Sequence, residues 1–220
     1  AQAEAKAIRE LKRDVEATIS GTQDSATENG AGTANALRGL GKWLASGKSG
    51  DLAIASDVPA AFATPQDSVE VDAANFTEDE LNTLISSTFR VTGSTNSLML
   101  IADTALRSKI ADFARTTAST NSVFRSVNYD GNSGSIKLSV DLYESDHGVV
   151  SIVNMNPDCA PDTVNKDSGY LVNPEYYGIH ELIPMGSTRL PNLGGGERGF
   201  VDCALTLGVY HPGAHGKIIN

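Results

Sequence analysis

Apolar residues near the front of the chain fall at Ile8, Leu11, Val15 and Ile19, with charged residues and alanines between them. That spacing predicts a helix over 1–20 carrying one narrow apolar stripe. Its alanines, and Lys12 four positions before Glu16, suit a helix that is exposed or faces a partner. Gly21 is placed to cap its C-terminus. From Thr22 to Gly41 the text is rich in Gly, Ser, Thr and Asn and reads as loop, and "ALRGLGKWL" reads as a short helical turn. A second irregular region runs from Ser46 to Ala74, where Pro59 and Pro65 block long helices.

"FTEDELNTLISSTF" is the clearest local signal. Thr77 and Glu80 form a capping box, and Phe76 and Leu81 are spaced for a hydrophobic staple. Leu81, Leu84, Ile85 and Phe89 continue a buried face, and Gly93 ends the helix. "SLMLIA" then predicts a short buried strand, and "DTALRSKIADFAR" a helix with Leu106, Ile110 and Phe113 facing inward.

After that the period changes. "SIKLSVDLY" alternates Ile136, Leu138, Val140 and Leu142 against polar residues, as a half-buried strand does, after turn chemistry at Asp130-Gly131 and Gly134. "GVVSIVNM" and "GYLVNPEYYGIHEL" predict further strands. Val201, Cys203, Leu205, Leu207 and Val209 alternate into a long late strand that Pro212 and Gly213 close. Helices early and strands late make an α+β class. We find no internal repeat.

Composition narrows the function. The 220 residues are 40% hydrophobic and 20% charged, with a formal net charge of −10, so a core is affordable and a non-specific grip on nucleic acid or anionic membrane is disfavoured. No apolar run reaches the roughly 20 residues of a membrane-spanning helix, and the charged first helix is no signal peptide. The start at Ala1 points to a processed protein or a fragment. Cys159 and Cys203 are the only cysteines; they read as reduced, largely buried thiols, with one long-range disulfide as the alternative.

Candidate chemistry fails on context. "GLGKWLASGKSG" ends like a phosphate cradle, but five residues separate Gly41 from Gly47 where four are needed. No helix follows. Trp43 and Leu44 are expected to plug this loop onto the core, with "SGKSG" a mobile tip. "GGGERG" matches G-x-G-x-x-G through Gly194, Gly196 and Gly199, yet a strand follows it, and no acidic residue lies about 20 positions on. It reads as a flexible loop. Pro212 and Gly213 deny His211 and His215 the helix that would make them a zinc pair. His147 sits in a turn and His180 in a strand. No nucleophile elbow occurs, neither cysteine has a histidine in a recognisable motif, and aromatics at 6% are too sparse for a base-stacking platform. The reading therefore assigns no catalytic, cofactor or metal residue and no enzymatic activity.

The ordered set "RELKRDVEATIS", "ALRGLGKWL", "FTEDELNTLISSTFRVTGSTNSLMLIADTALRSKIADFAR", "LYESDHGVVSIVNMN" and "ERGFVDCALTLGVYHPGAHGKIIN" resembles the major capsid proteins of tailed bacteriophages. Their Hong Kong ninety-seven-type coat fold is shared with encapsulin shells. The resemblance implies a spine helix with part of a peripheral domain in 1–45, an axial domain in 46–195, and a strand returning to the peripheral domain in 196–220. The family's N-terminal arm and extended β-loop are absent from this chain. It further implies a structural head protein, assembled in the host bacterial cytoplasm and located in the virion, that associates with itself as hexamers and pentamers into an icosahedral shell. That shell encloses DNA without sequence-specific binding, touches no membrane, and takes portal, scaffolding or decoration proteins as further partners. No cofactor is implied. Three rivals stand beside it: an encapsulin-type compartment, a phage decoration or tail component, and an α+β hydrolase with an unrecognised site around Asp146, His147 and His180.

Overall fold

The computed structural model describes residues 2–30, 32–94, 98–113, 141–161, 164–191, 194 and 198–220. Helix α1 (Gln2–Ser20) bears the predicted stripe, with Ile8, Leu11, Val15 and Ile19 all half-buried. The i, i+4 ion pair on it joins Lys6 to Glu10 at 3.7 Å. Gly21 follows the helix outside the left-handed region, so it is no αL cap. Its use is close approach: the Gly21 carbonyl accepts the Gly41 amide at 3.1 Å, and a side chain on Gly39 would run into that same oxygen. The 22–39 loop folds back on itself through an Ala26–Ala36 bridge before the single turn α2 (Leu40–Trp43).

A two-residue strand β1 (Val69–Glu70) leads to α3 (Glu78–Thr92). The capping box forms as predicted. The Thr77 amide donates to Glu80 Oε2 at 2.6 Å, and the Glu80 amide donates to Thr77 Oγ1 at 3.4 Å. Phe76 and Leu81 are both buried, and Gly93 closes the helix at φ 68°. Phe89 departs from the expectation: it is 40% exposed and stacks on His147, ring centroids 6.0 Å apart. It lies on the last turn of the helix and is outside the buried cluster that Leu81, Leu84 and Ile85 join.

Strand β2 (Leu98–Ala102), helix α4 (Thr104–Phe113), and strands β3 (Leu142–Ser145) and β4 (Gly148–Asn154) follow. The predicted strand over Ile136, Leu138 and Val140, and its turn at Asp130-Gly131 and Gly134, lie outside the described residues. Leu142 begins β3 but is 62% exposed rather than half-buried, because β3 is the outer strand of its sheet. "GYLVNPEYYGIHEL" makes two strands and not one. β5 (Gly169–Val172) stops at Asn173, where Pro174 opens a 3-10 turn, and β6 (Tyr177–Leu190) starts after it. Proline ends the ladder by removing an N–H. The alternating late segment forms β7 (Arg198–Val209), and β8 (Gly216–Ile218) ends the fold.

Six strands make one mixed sheet in the order β1-β8-β5-β2-β4-β3, and β6 and β7 form a separate antiparallel ribbon. β2 lies at the centre, antiparallel to β5 and parallel to β4. Its alternation divides the core. Leu98, Leu100 and Ala102 face α3 and α4, meeting Leu81, Leu84, Ile85, Leu106 and Ile110. Met99 and Ile101 face the other side, where Tyr170 and Val172 meet Leu40 and Leu44, α1 through Ile19, and the ribbon base at Tyr177, Leu207 and Val209. Each fully buried aliphatic side chain stabilises the fold by about 1.5–3 kcal/mol.

The glycine at 41 is required by this second cluster. A Cβ there would sit 2.8 Å from the Tyr170 hydroxyl, 2.9 Å from Thr22 Cγ2 and 3.1 Å from the Gly21 carbonyl. That hydroxyl is itself committed to the Ser20 carbonyl at 2.6 Å. Gly41→Ala is therefore expected to destabilise the protein by about 1–3 kcal/mol through overpacking, read as a lower urea midpoint at unchanged slope.

Candidate assembly surface

Most residues of β6 and the tip of β7 are exposed. β6 and β7 pair from Tyr177↔Val209 at the base to Leu190↔Arg198 at the tip, with register irregularities between Glu181 and Gly186. Such bulges bend and twist a ribbon. Neither strand has a second neighbour among the described residues, so both outer edges present unpaired backbone groups. Ile183 stands opposite Ala204, Phe200 opposite Thr188, and Leu190 opposite Arg198. Ile183, Leu190 and Phe200 are exposed large apolar side chains, and Leu182 at the bulge is 85% exposed. A soluble monomer seldom leaves a long two-edged strand pair bare.

Beside it, α1, the 23–37 loop and β7 enclose an open groove of about 1180 Å³. Leu11, Val15, Leu37 and Leu205 supply its apolar walls, and Asp14 and Gln23 polar ones. Cys203 also lines it, half-buried and free. Near the start of α1, Glu4 accepts a hydrogen bond from Ser187 of the ribbon. The narrow stripe of α1 thus faces β7, leaving the opposite face of the helix to solvent.

Two ionic networks, one buried and one built on a buried arginine with exposed carboxylates, tie down the neighbouring loops. The Lys217 side chain is 1% exposed and pairs with Asp51, whose side chain is fully buried. Lys217 also donates to the Gly41 carbonyl at 3.0 Å. Asp51 Oδ2 accepts from the amide and the hydroxyl of Ser46, each at 2.8 Å. Burial alone would raise the Asp51 pKa, but the bonds from Lys217 and Ser46 together outweigh it and hold the carboxyl below its ordinary value. In the second network, Arg38 is 6% exposed and donates to Asp24 at 2.7 Å and to both oxygens of Asp57 at 2.8 and 3.1 Å. Its guanidinium lies 4.5 Å from the Trp43 ring centre, a cation–π contact.

These networks correct the picture of the "SGKSG" tip. It is tied down: Ser46 is buried, and Lys48 Nζ donates to the Val69 carbonyl at 2.7 Å and lies 3.7 Å from Glu70. Leu44 plugs the core as expected, fully buried, with Trp43 packed against the same cluster. Lys48 thus spends its charge on the protein's own backbone. Lys48→Ala is expected to cost no more than about 1 kcal/mol and to leave nucleotide binding undetectable before and after, checked by thermal melting with and without ATP.

The other sequence candidates are scattered. His147 is at the β3–β4 turn against Phe89, whereas His180 is on the ribbon, its Nε2 2.9 Å from the Tyr210 hydroxyl. The groove contains neither, nor Asp146. His211 is wedged between Phe62 and Tyr176, and His215 Nδ1 accepts the Asn173 amide at 3.0 Å. Among the described residues, no three His, Cys, Asp or Glu side chains are grouped to hold a metal. Cys159 is buried under α1, its thiol 3.5 Å from the Arg13 carbonyl, and burial raises its pKa. Gly194 takes φ 93°, as a glycine loop allows; Gly196 lies outside the described residues and Gly199 belongs to β7. Sequence reasoning missed the exposed side of β6 and the Asp51–Lys217 pair. The bare Leu182-Ile183 step within a strand was the one available signal.

The prominent features are a long two-edged ribbon, an open groove and a helix with a free face. Surfaces of this kind suit contact with other chains. The chain belongs to the SU10 major capsid protein family, whose family model matches residues 1–220, and by that membership it is a structural protein of the virion capsid and not an enzyme. No curated protein matches it.

Proposed function

We propose that this capsid protein builds an icosahedral phage head by self-association into hexamers and pentamers, and that the closed shell encloses the phage DNA. The observation that carries the proposal is the ribbon with two unpaired edges and exposed Leu182, Ile183, Leu190 and Phe200, together with membership of a major capsid family. Many modest contacts repeated by symmetry close a stable shell without any single strong one. A net charge of −10 keeps the protein from clinging to the DNA it encloses.

Within the Hong Kong ninety-seven-type layout, we read α1 as the spine helix, the six-stranded sheet with α3 and α4 as the axial domain, and the ribbon as peripheral. This departs from the expected division at two places: β6 goes with β7, since the two pair along their whole length, and β8 goes with the sheet, where it lies between β1 and β5. The protein's further partners would be portal, scaffolding or decoration proteins. Electron microscopy of the purified particle tests the proposal. Closed isometric shells with DNA inside are expected; a stable monomer or small open rings at high protein concentration would end it.

A further inference from the structure

The polypeptide passes between the six-stranded sheet and the ribbon twice, once from β5 to β6 through 173–176 and once from β7 to β8 through 210–215. The two crossings are bolted to each other. The Asn173 amide donates to His215 Nδ1 at 3.0 Å, and the Tyr210 amide donates to the Tyr176 carbonyl at 2.8 Å. Asn173 Oδ1 in turn holds the Glu175 amide at 3.1 Å. His215 is wholly buried and Asn173 nearly so.

We propose that the His215–Asn173 bond is an acid-released clamp at this joint, and that protonation of the His215 imidazole frees the ribbon to change its angle to the sheet.

The imidazole is neutral in the closed joint. Because Nδ1 accepts a hydrogen bond, the ring proton sits on the buried Nε2. The groups facing the ring are the Asn173 amide, the Tyr176 backbone, the Tyr177 ring at 6.0 Å in edge contact, and His211 from its own connection. None of them is a carboxylate. A second ring proton would point at the Asn173 N–H, donor against donor, and would leave a buried amide without an acceptor. Burial pushes the His215 pKa down from the ordinary 6.5 to about 4; the Tyr176 backbone opposes this and His211 adds to it. An opened joint therefore takes up the proton before the closed one does. The clamp holds at full strength above pH 6.5, weakens as the pH falls below that value, and is lost once the pH passes about 4. Tyr177, Leu207 and Val209 stay in the second core cluster, so release loosens an angle and does not unfold the sheet.

The clamp belongs to a single subunit, so its test is independent of shell formation. Hydrogen exchange of the full chain, corrected for intrinsic rates, is followed from neutral pH to below pH 4. Protection of the Asn173 and Tyr210 amides is expected to fall by about tenfold or more, with a midpoint near that of the His215 ring followed by NMR, while the β2–β5 ladder stays protected. His215→Asn presents Oδ1 where Nδ1 stands and takes no proton in this range, so its Asn173 amide should hold across the titration. His211→Phe should keep the acid release and move its midpoint upward. Equal acid loss in His215→Asn, or loss of the ladder amides together with Asn173, overturns the clamp. Should His215→Asn not fold, the wild-type data alone decide, and separate midpoints for the His215 ring and the Asn173 amide overturn it equally.

Discussion

Leu84→Asp is expected to leave no folded protein. Leu84 is 2% exposed on the inner face of α3, in one cluster with Leu81, Ile85, Leu100, Leu171 and Ile218. Its Cδ2 lies 3.5 Å from where a Cβ on Gly216 would stand, so the helix sits directly on β8. Removing the apolar side chain costs about 2–5 kcal/mol. Placing an unpaired carboxylate in the same space costs several kcal/mol more or forces its protonation. Against a total stability of about 5–15 kcal/mol, the sum reaches the margin of folding. The measurement is soluble yield and far-UV circular dichroism. Phe89→Asp, on the exposed last turn of the same helix, serves as the control and should change stability by about 1 kcal/mol or less. A soluble, cooperatively melting Leu84→Asp protein would show that α3 does not cover this sheet.

The second large effect concerns the buried pair. Asp51→Asn keeps the size of the side chain and an oxygen for Ser46, but strips Lys217 of its counter-charge where neither side chain reaches solvent. Breaking one side of such a pair destabilises a protein by about 3–5 kcal/mol, because an uncompensated charge stays behind. Burial works against the Lys217 charge and Asp51 works for it, so the variant lysine is driven toward its neutral form. The double variant Asp51→Asn with Lys217→Met removes both charges and should recover much of the loss, which equilibrium urea denaturation of the three proteins would register. The wild-type pair also carries an acid dependence. Since the Asp51 carboxyl is held below its ordinary 3.8, its contribution is complete above that pH and disappears as the pH falls through the lower folded value. An Asp51→Asn protein as stable as the wild type at neutral pH would mean that the pair is not closed in solution.

Both predictions show where local pattern suffices and where it fails. The burial of Leu84 follows from its spacing with Leu81 and Ile85 behind a capping box, all within one helix. Asp51 offered no such signal. It is one of 27 acidic residues in the chain, and its partner lies 166 positions away. The same distinction separates the two strands of the exposed ribbon. β7 was legible because Val201, Cys203, Leu205, Leu207 and Val209 alternate. β6 was legible only as far as Leu182, because its bulges from there on break the period and its apolar residues have no covering layer to explain them.

What the sequence determined alone is what neighbouring residues settle among themselves: α1 and its stripe, α3 between Thr77 and Gly93, a strand at β4, the alternation of β7, and the wrong flanks of both glycine motifs. Only the tertiary structure decided that β1 and β8, nearly 150 residues apart, share a sheet edge. It likewise decided that Phe89 stays outside the core against His147, that Pro174 splits one predicted strand into two sheets, and that His215 meets Asn173. Local signals come from backbone sterics and side chains within a turn or two. Which distant segments meet depends on how all the apolar faces can be buried at once, a condition no short window of residues contains.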